Sequence, residues 1–320
     1  MSEPLNRREF IRNSVLASTA VAAAGTAAAG AGPAAKAAPP KDLLPTGKIG
    51  SLEVTRLILG GNLLTRYQHV RDLGYIHKLV KSYNTDDKIR ATIELAEASG
   101  INTLSVNVTP AVMKTLSDHR KNGGTIQTIL YSTASIEDAA VYGAQLRQMV
   151  DSGSEAIYIW GEQTDKCFRE GRMALLRTRL EEARMLDVPC GIGAHELQAV
   201  QQIEKEQWPV DFYIKTFHHH RYPSAPRPGE AKSTTCETPG YWCRNPEETL
   251  EFMKSVTKPW IAFKVMAAGA IPPADAFPYA FTNGADFVLA GMFDFDIAED
   301  CRLARDAVAQ ARTRVRPWRA

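Results

Sequence analysis

The chain has 320 residues, 44% hydrophobic and 23% charged, a composition that excludes disordered and fibrous classes. Of 38 basic and 36 acidic residues, four and two fall within the first 38 positions, leaving 34 of each in the remainder. That balance gives no reason to expect nucleic acid or an anionic membrane as partner. Five cysteines in a chain this long are not a disulfide framework.

In chain order, residues 1–38 stand apart. "NRREFIRNS" carries Arg7, Arg8 and Arg12, and a weakly apolar, alanine-rich stretch follows. A basic start, a short apolar run and small residues near a cut site describe a signal peptide. The Arg7-Arg8 pair with Phe10 resembles a bacterial twin-arginine signal. The resemblance implies export of the folded chain by the twin-arginine machinery to the periplasm or beyond, with cleavage between Ala35 and Ala38. The apolar run is too short for a stable membrane span. Residues 39–47 read as a linker and 48–320 as one domain. In an oxidising compartment Cys236 and Cys243 are close enough in sequence to bridge, which the sequence leaves open.

Short apolar runs then alternate with longer amphipathic ones. Strands are predicted over residues 56–61, 102–107, 125–132, 156–161, 189–194, 211–216, 260–265 and 286–291. Helical patterns lie between them, one starting at Asn245 with Pro246 in its first turn. Eight βα repeats with mostly short connections predict an α/β fold, a single (β/α)8 TIM barrel after the signal peptide. An open doubly wound sheet is the alternative, although no G-x-G-x-x-G follows the first strand. The connections over residues 64–87 and 217–245 are long enough to be functional.

Four segments, "VTRLILGGN", "AEASGINTLSVN", "AIYIWGEQ" and "GIGAHE", resemble the aldo/keto reductase barrel, spread over residues 48–300. "LILGGN", the "K-T" strand followed by histidines and "PWIAFK…AAGAI" resemble a group of exported bacterial barrel proteins. The reductase resemblance implies an Asp and a Tyr after the second strand, a Lys ending the third and a His ending the fourth. The matching positions here read "LSVNVTP", "ILYSTAS" and "WGEQ", so the hydride-transfer tetrad is missing and no nicotinamide cofactor is expected. "DFYIKT" and "IAFKVMAAGAI" also resemble the sixth and seventh strands of deoxyribose-phosphate-type aldolases, which implies Schiff-base chemistry at a lysine.

Catalytic residues of such barrels sit at the C-terminal ends of the strands. The candidates there are Glu162, His195, Lys215 and Lys264 as catalytic groups. Asn62, Asn107, Tyr241, Trp242 and Asp294 are expected to bind substrate. Lys264 lies in an apolar run, where strand alternation groups it with Ala262 and Met266. An amine desolvated there, with Lys215 as a second cation nearby, would have a lowered pKa and act as nucleophile or base; paired with Glu162 it would be a structural ion pair. Three of the seven histidines form the run His218-His219-His220. His218, His220, His195 and Glu162 are candidate ligands for a divalent metal, Zn or Mn, although no fixed metal-site spacing is present.

The expected function is an exported enzyme acting on a small carbonyl compound or carbohydrate by lyase, aldolase or isomerase chemistry. The alternatives are an aldo/keto reductase-like oxidoreductase with a replaced tetrad and a non-catalytic sugar-binding barrel.

Overall fold

The computed structural model describes residues 44–320, so the expected signal peptide and its expected cut site lie outside the described residues. Eight short parallel strands close into a barrel: β3 (Leu57–Gly60), β4 (Thr103–Asn107), β5 (Gln127–Ser132), β6 (Ala156–Ile159), β7 (Cys190–Ala194), β8 (Phe212–Thr216), β9 (Trp260–Phe263) and β10 (Phe287–Ala290). β10 pairs back onto β3, completing the ring in chain order. Each strand falls inside one of the eight predicted runs. These runs are β-branched and aromatic and are buried on both faces, as parallel strands must be.

Two features are absent from the eight-fold reading. An antiparallel hairpin, β1 (Thr46–Ile49) and β2 (Leu52–Thr55), precedes the barrel and includes Thr46 and Gly47 of the expected linker. Its Ile49 and Val54 are fully buried and join Ile58, Ile129, Phe212, Ile261 and Phe287 in the barrel interior. The hairpin therefore closes the N-terminal end of the barrel, each such side chain contributing about 1.5–3 kcal/mol by burial. Ten α-helices are described where the repeat needs eight. They are α1 (Ile76–Tyr83), α2 (Asp86–Ala98), α3 (Pro110–Lys121), α4 (Ala139–Asp151), α5 (Gly161–Arg169), α6 (Met173–Arg184), α7 (Leu197–Lys205), α8 (Pro246–Met253), α9 (Pro273–Thr282) and α10 (Ile297–Gln310). The additional ones are α1, inside the first long connection, and α5, directly above β6.

Helix starts follow local chemistry. Thr85 and Thr109 accept from the backbone N–H groups of Lys88 and Val112. α8 begins at Pro246 as predicted, but the Asn245 side chain bonds Glu248 instead of capping the helix.

The C-terminal tail ties down the same end of the barrel as the hairpin. Asp286, just before β10, is fully buried. It accepts from Trp260 N (2.9 Å), Arg319 N (2.8 Å) and Arg316 Nη1 (2.6 Å), with Arg314 at 3.7 Å. The fully buried Arg316 also donates to the carbonyls of Val256, Lys258 and Gly284. Arg56 reaches Asp286 O and Ala320 O while stacking on Trp318.

Candidate functional site

Above the C-terminal ends of the strands lies a cavity of about 1000 Å³. Its floor is aromatic: Tyr131 packs on Tyr158 at 4.9 Å and on Trp160 at 6.3 Å, nearly parallel to the latter. Asn62, Asn107, Glu162, His195 and Lys264 line it. Five of the sequence candidates therefore meet at one mouth, joined by His69 and Tyr67 from the first long connection.

The two lysines part company. Along β8, Phe212 and Ile214 face the barrel interior while Tyr213 belongs to the layer beneath the helices. Strict alternation carries Lys215 outward with Tyr213. It is completely buried there, its Nζ donating to Thr216 O and Oγ1 at 3.0 Å, and it does not line the cavity. Lys215 is therefore no mouth residue. Alternation along β9 would likewise send Lys264 outward with Ala262, which packs beneath the helices. But β9 ends at Phe263, and Lys264 takes a left-handed φ of 57°. Ala267 and Ala268 follow at 45° and 52°. These conformations cost L-residues about 1–2 kcal/mol each and collect at functional sites. Here the turn re-aims the amine into the mouth.

The Lys264 amine donates to His69 Nε2 at 2.7 Å and lies 5.7 Å from the rings of Trp242 and Phe263. Desolvation pulls its pKa down to about 8, against the raising influence of Glu162, Glu237 and Asp165. The other His69 nitrogen, Nδ1, donates to Glu237, so the imidazole is oriented from both sides. Desolvation first, and the Lys264 charge second, lower the His69 pKa. Glu162, in the first turn of α5, has its carboxyl raised by desolvation, with Asp165 adding and Lys264 opposing. It makes no direct ion pair with Lys264, so the buried Lys264–Glu162 pair considered from sequence is not formed.

His195 sits directly after β7. Glycines at 161 and 193 allow its position: a Cβ on Gly193 would lie 2.9 Å from Gly161 N, so a side chain at 193 would push α5 off β7. α5 then delivers Asp165, which accepts from the backbone N–H groups of His195 (3.1 Å) and Glu196 (2.9 Å) and from His195 Nδ1 (2.7 Å). A carboxylate only accepts, so Nδ1 carries the proton and Nε2 keeps its lone pair. That buried Nε2 has no protein partner.

The histidine run does different work. His218 Nδ1 donates to His219 O, and its Nε2 accepts from Trp242 N and Cys243 N at 3.0 and 3.1 Å. His219 bonds Asp275 and Arg221 N, and His220 Nε2 donates to Cys243 O at 2.7 Å. His218 and His220 fasten the long loop 217–245 to itself, and His219 ties it to α9. With both His218 nitrogens engaged, no lone pair is left for a cation, and among the described residues no three potential ligands group as a metal site. His218 and His220, candidate metal ligands in the sequence, are thus spent on the loop backbone, His218 through both nitrogens and His220 through Nε2. Through the loop they hold Trp242 against His69, with ring centroids 5.2 Å apart. Trp242 backs the site without lining the cavity. Tyr241 is buried in the loop, its hydroxyl accepting from Ser233 N. Asp294 is also displaced from its expected role: Tyr83 and Lys88 bond it at 2.7 and 2.9 Å, clamping the β10–α10 loop to α1 and α2. Cys236 and Cys243 are free thiols.

Sequence reasoning missed His69, Glu237, Asp165 and the aromatic floor. The only available signal for His69 was the length of its connection; Glu237 and Asp165 depend on long-range contacts.

Burial, with Lys264 second, drives His195 down to about 4, and burial drives His218 down to about 3. Both are neutral when folded, so between their ordinary pKa near 6.5 and these lower values the unfolded chain binds more protons. Stability is full above about pH 6.5 and falls on acidification toward pH 4, by up to about 3 kcal/mol per histidine. Urea midpoints recorded from pH 7 to 4 should show the fall, with a shallower slope in His218→Gln.

No family model matches the chain, and no curated protein sequence matches it. Solved structures do. A Pseudomonas aeruginosa protein assigned to the aldo-keto reductases superimposes with a TM-score of 0.53 at 13% identity, covering 84% of this chain and 98% of its own. An aldo-keto reductase from Bacillus halodurans, in its holo form, gives 0.52 at 11% identity, covering 84% and 96%. Mandelate oxidase with benzoyl-formic acid gives 0.50 at 11% identity, covering 86% and 80%. The fold is the TIM barrel. At these identities the likeness extends to architecture and not to chemistry.

Proposed function

We propose that this protein is an enzyme of carbonyl chemistry, a lyase or isomerase whose nucleophile is the Lys264 amine. The observation that carries the reading is the desolvated amine, with a pKa of about 8, held at the cavity mouth by His69. About a tenth of it is neutral at pH 7, and only the neutral amine attacks. Addition to a carbonyl carbon forms a carbinolamine. Its oxygen takes a proton from the Glu162 carboxyl and leaves as water, and the nitrogen lone pair forms a protonated imine on Nζ. The raised Glu162 pKa supports this acid role. The imine then draws electrons from an adjacent C–H or C–C bond, and the proton released, from that carbon or from the β-hydroxyl, passes to the Glu162 carboxylate left by the dehydration, which is the common step of isomerases and lyases of this kind. The aromatic floor supports a small substrate with apolar faces, a sugar among them. The Arg7-Arg8 leader supports export of the folded protein to the periplasm or beyond.

Borohydride reduction in the presence of small ketones and aldehydes tests the imine. A covalent adduct should map to Lys264, with a trapping rate that rises through about pH 8 as the amine deprotonates. No adduct at Lys264 with any carbonyl between pH 7 and 9 would sink the reading and favour a binding barrel.

A further inference from the structure

His195 offers more than the imine requires. The side chain lines the cavity, and its Nε2 is buried without a protein partner. Asp165 accepts from Nδ1–H and from two backbone N–H groups, so the other tautomer would set the Nδ1 lone pair against a carboxylate oxygen at 2.7 Å. Nε2 is thus an acceptor only. A carbonyl or carboxylate oxygen presented to it would meet a lone pair; an aliphatic carbon would leave it bare. A hydroxyl satisfies it. Phe263, 5.5 Å from the ring, and the Tyr131–Tyr158 floor wall the approach with apolar surface. Leaving a buried polar atom unmatched is costly, and sites built to bond a substrate hydroxyl reject the analogue lacking it.

We propose that the substrate is a hydroxycarbonyl compound, and that His195 Nε2 selects it by accepting a hydrogen bond from its hydroxyl. This deepens the carbonyl reading, on which only the trapping arm of the following test rests.

Two ketone pairs of matched shape separate hydroxyl from methyl: hydroxyacetone against methyl ethyl ketone, and 4-hydroxybutan-2-one against methyl propyl ketone. The half-saturating concentration for borohydride trapping at Lys264 is measured for each in the wild-type protein. At least one hydroxylated member should saturate at a concentration about tenfold or more below its partner, and the ratio should fall toward one in His195→Phe. Equal half-saturation within both pairs overturns the proposal, because a bound water then satisfies Nε2 regardless of substrate. The second arm needs no imine and no variant. Nitrogen-15 histidine spectra of the wild-type protein are followed during titration with glycerol, which has hydroxyls and no carbonyl. The unprotonated Nε2 resonance of His195 should move saturably. An unmoved resonance overturns the proposal. If no ketone traps at Lys264 but glycerol still shifts His195, the imine reading falls and hydroxyl recognition stands.

Discussion

Lys264→Met should lower imine trapping and any turnover by at least about 10³-fold, while the melting temperature holds or rises. The first half follows from removing the proposed nucleophile, since among the described residues no other lysine lines the cavity. The second follows from the depressed pKa. A lysine whose folded pKa is about 8 against an ordinary 10.5 disfavours its own charged form in the folded state. The folded chain therefore binds fewer protons between pH 8 and 10.5, and stability rises with pH across that window. Below pH 8 the charged amine costs up to about 3 kcal/mol, which methionine of similar volume removes. The opposing loss, the bond to His69, is small because that imidazole is part-exposed and water can replace the donor. Were Lys264 half of a buried pair with Glu162, the same change would cost about 3–5 kcal/mol; Glu162 instead lines the cavity without a direct contact to the amine. Thermal melts of the variant at pH 7 distinguish the two, and a fall of several degrees would contradict the geometry described.

Asp286→Ala should be the most destabilising single change in the barrel, at about 3–5 kcal/mol. It would remove the carboxylate that neutralises Arg316 and Arg314, both nearly or fully buried, and orphan the backbone N–H groups of Trp260 and Arg319. Burial already holds the Arg316 and Arg314 guanidinium pKa values below their ordinary range, with Asp286 opposing that shift. The hub lies at the N-terminal ends of the strands, opposite the cavity. Trapping at Lys264 should therefore persist at temperatures where the variant is still folded. Urea unfolding measures the loss; a change below about 1 kcal/mol would mean that the arginines find solvent or other acceptors.

The number and order of the barrel strands were legible because each is a short, apolar, β-branched run bounded by Gly, Pro or Asn, a signal contained within six to eight neighbouring residues. The mouth positions of Asn62, Asn107, Glu162 and His195 followed, since they come directly after strands whose ends the same punctuation marks. The hairpin plug was invisible, because "TGKIGSLEVT" holds only three apolar residues, Ile49, Leu52 and Val54, whose burial depends on meeting the N-terminal end of the barrel interior. Residue type made Lys215 and Lys264 look alike, and His218 look like a ligand. Only the tertiary structure separated them. β8 keeps its alternation through Thr216 and turns Lys215 away, whereas β9 stops one residue before Lys264 and a left-handed turn brings that amine inward. His218 is consumed by the backbone of Trp242 and Cys243, two dozen residues on in the chain. His69 and Glu237 are 168 residues apart in sequence yet meet beside the amine. Local pattern specifies elements; the direction of one side chain at a strand end is set by a single backbone dihedral and by partners from distant segments, which no local pattern encodes.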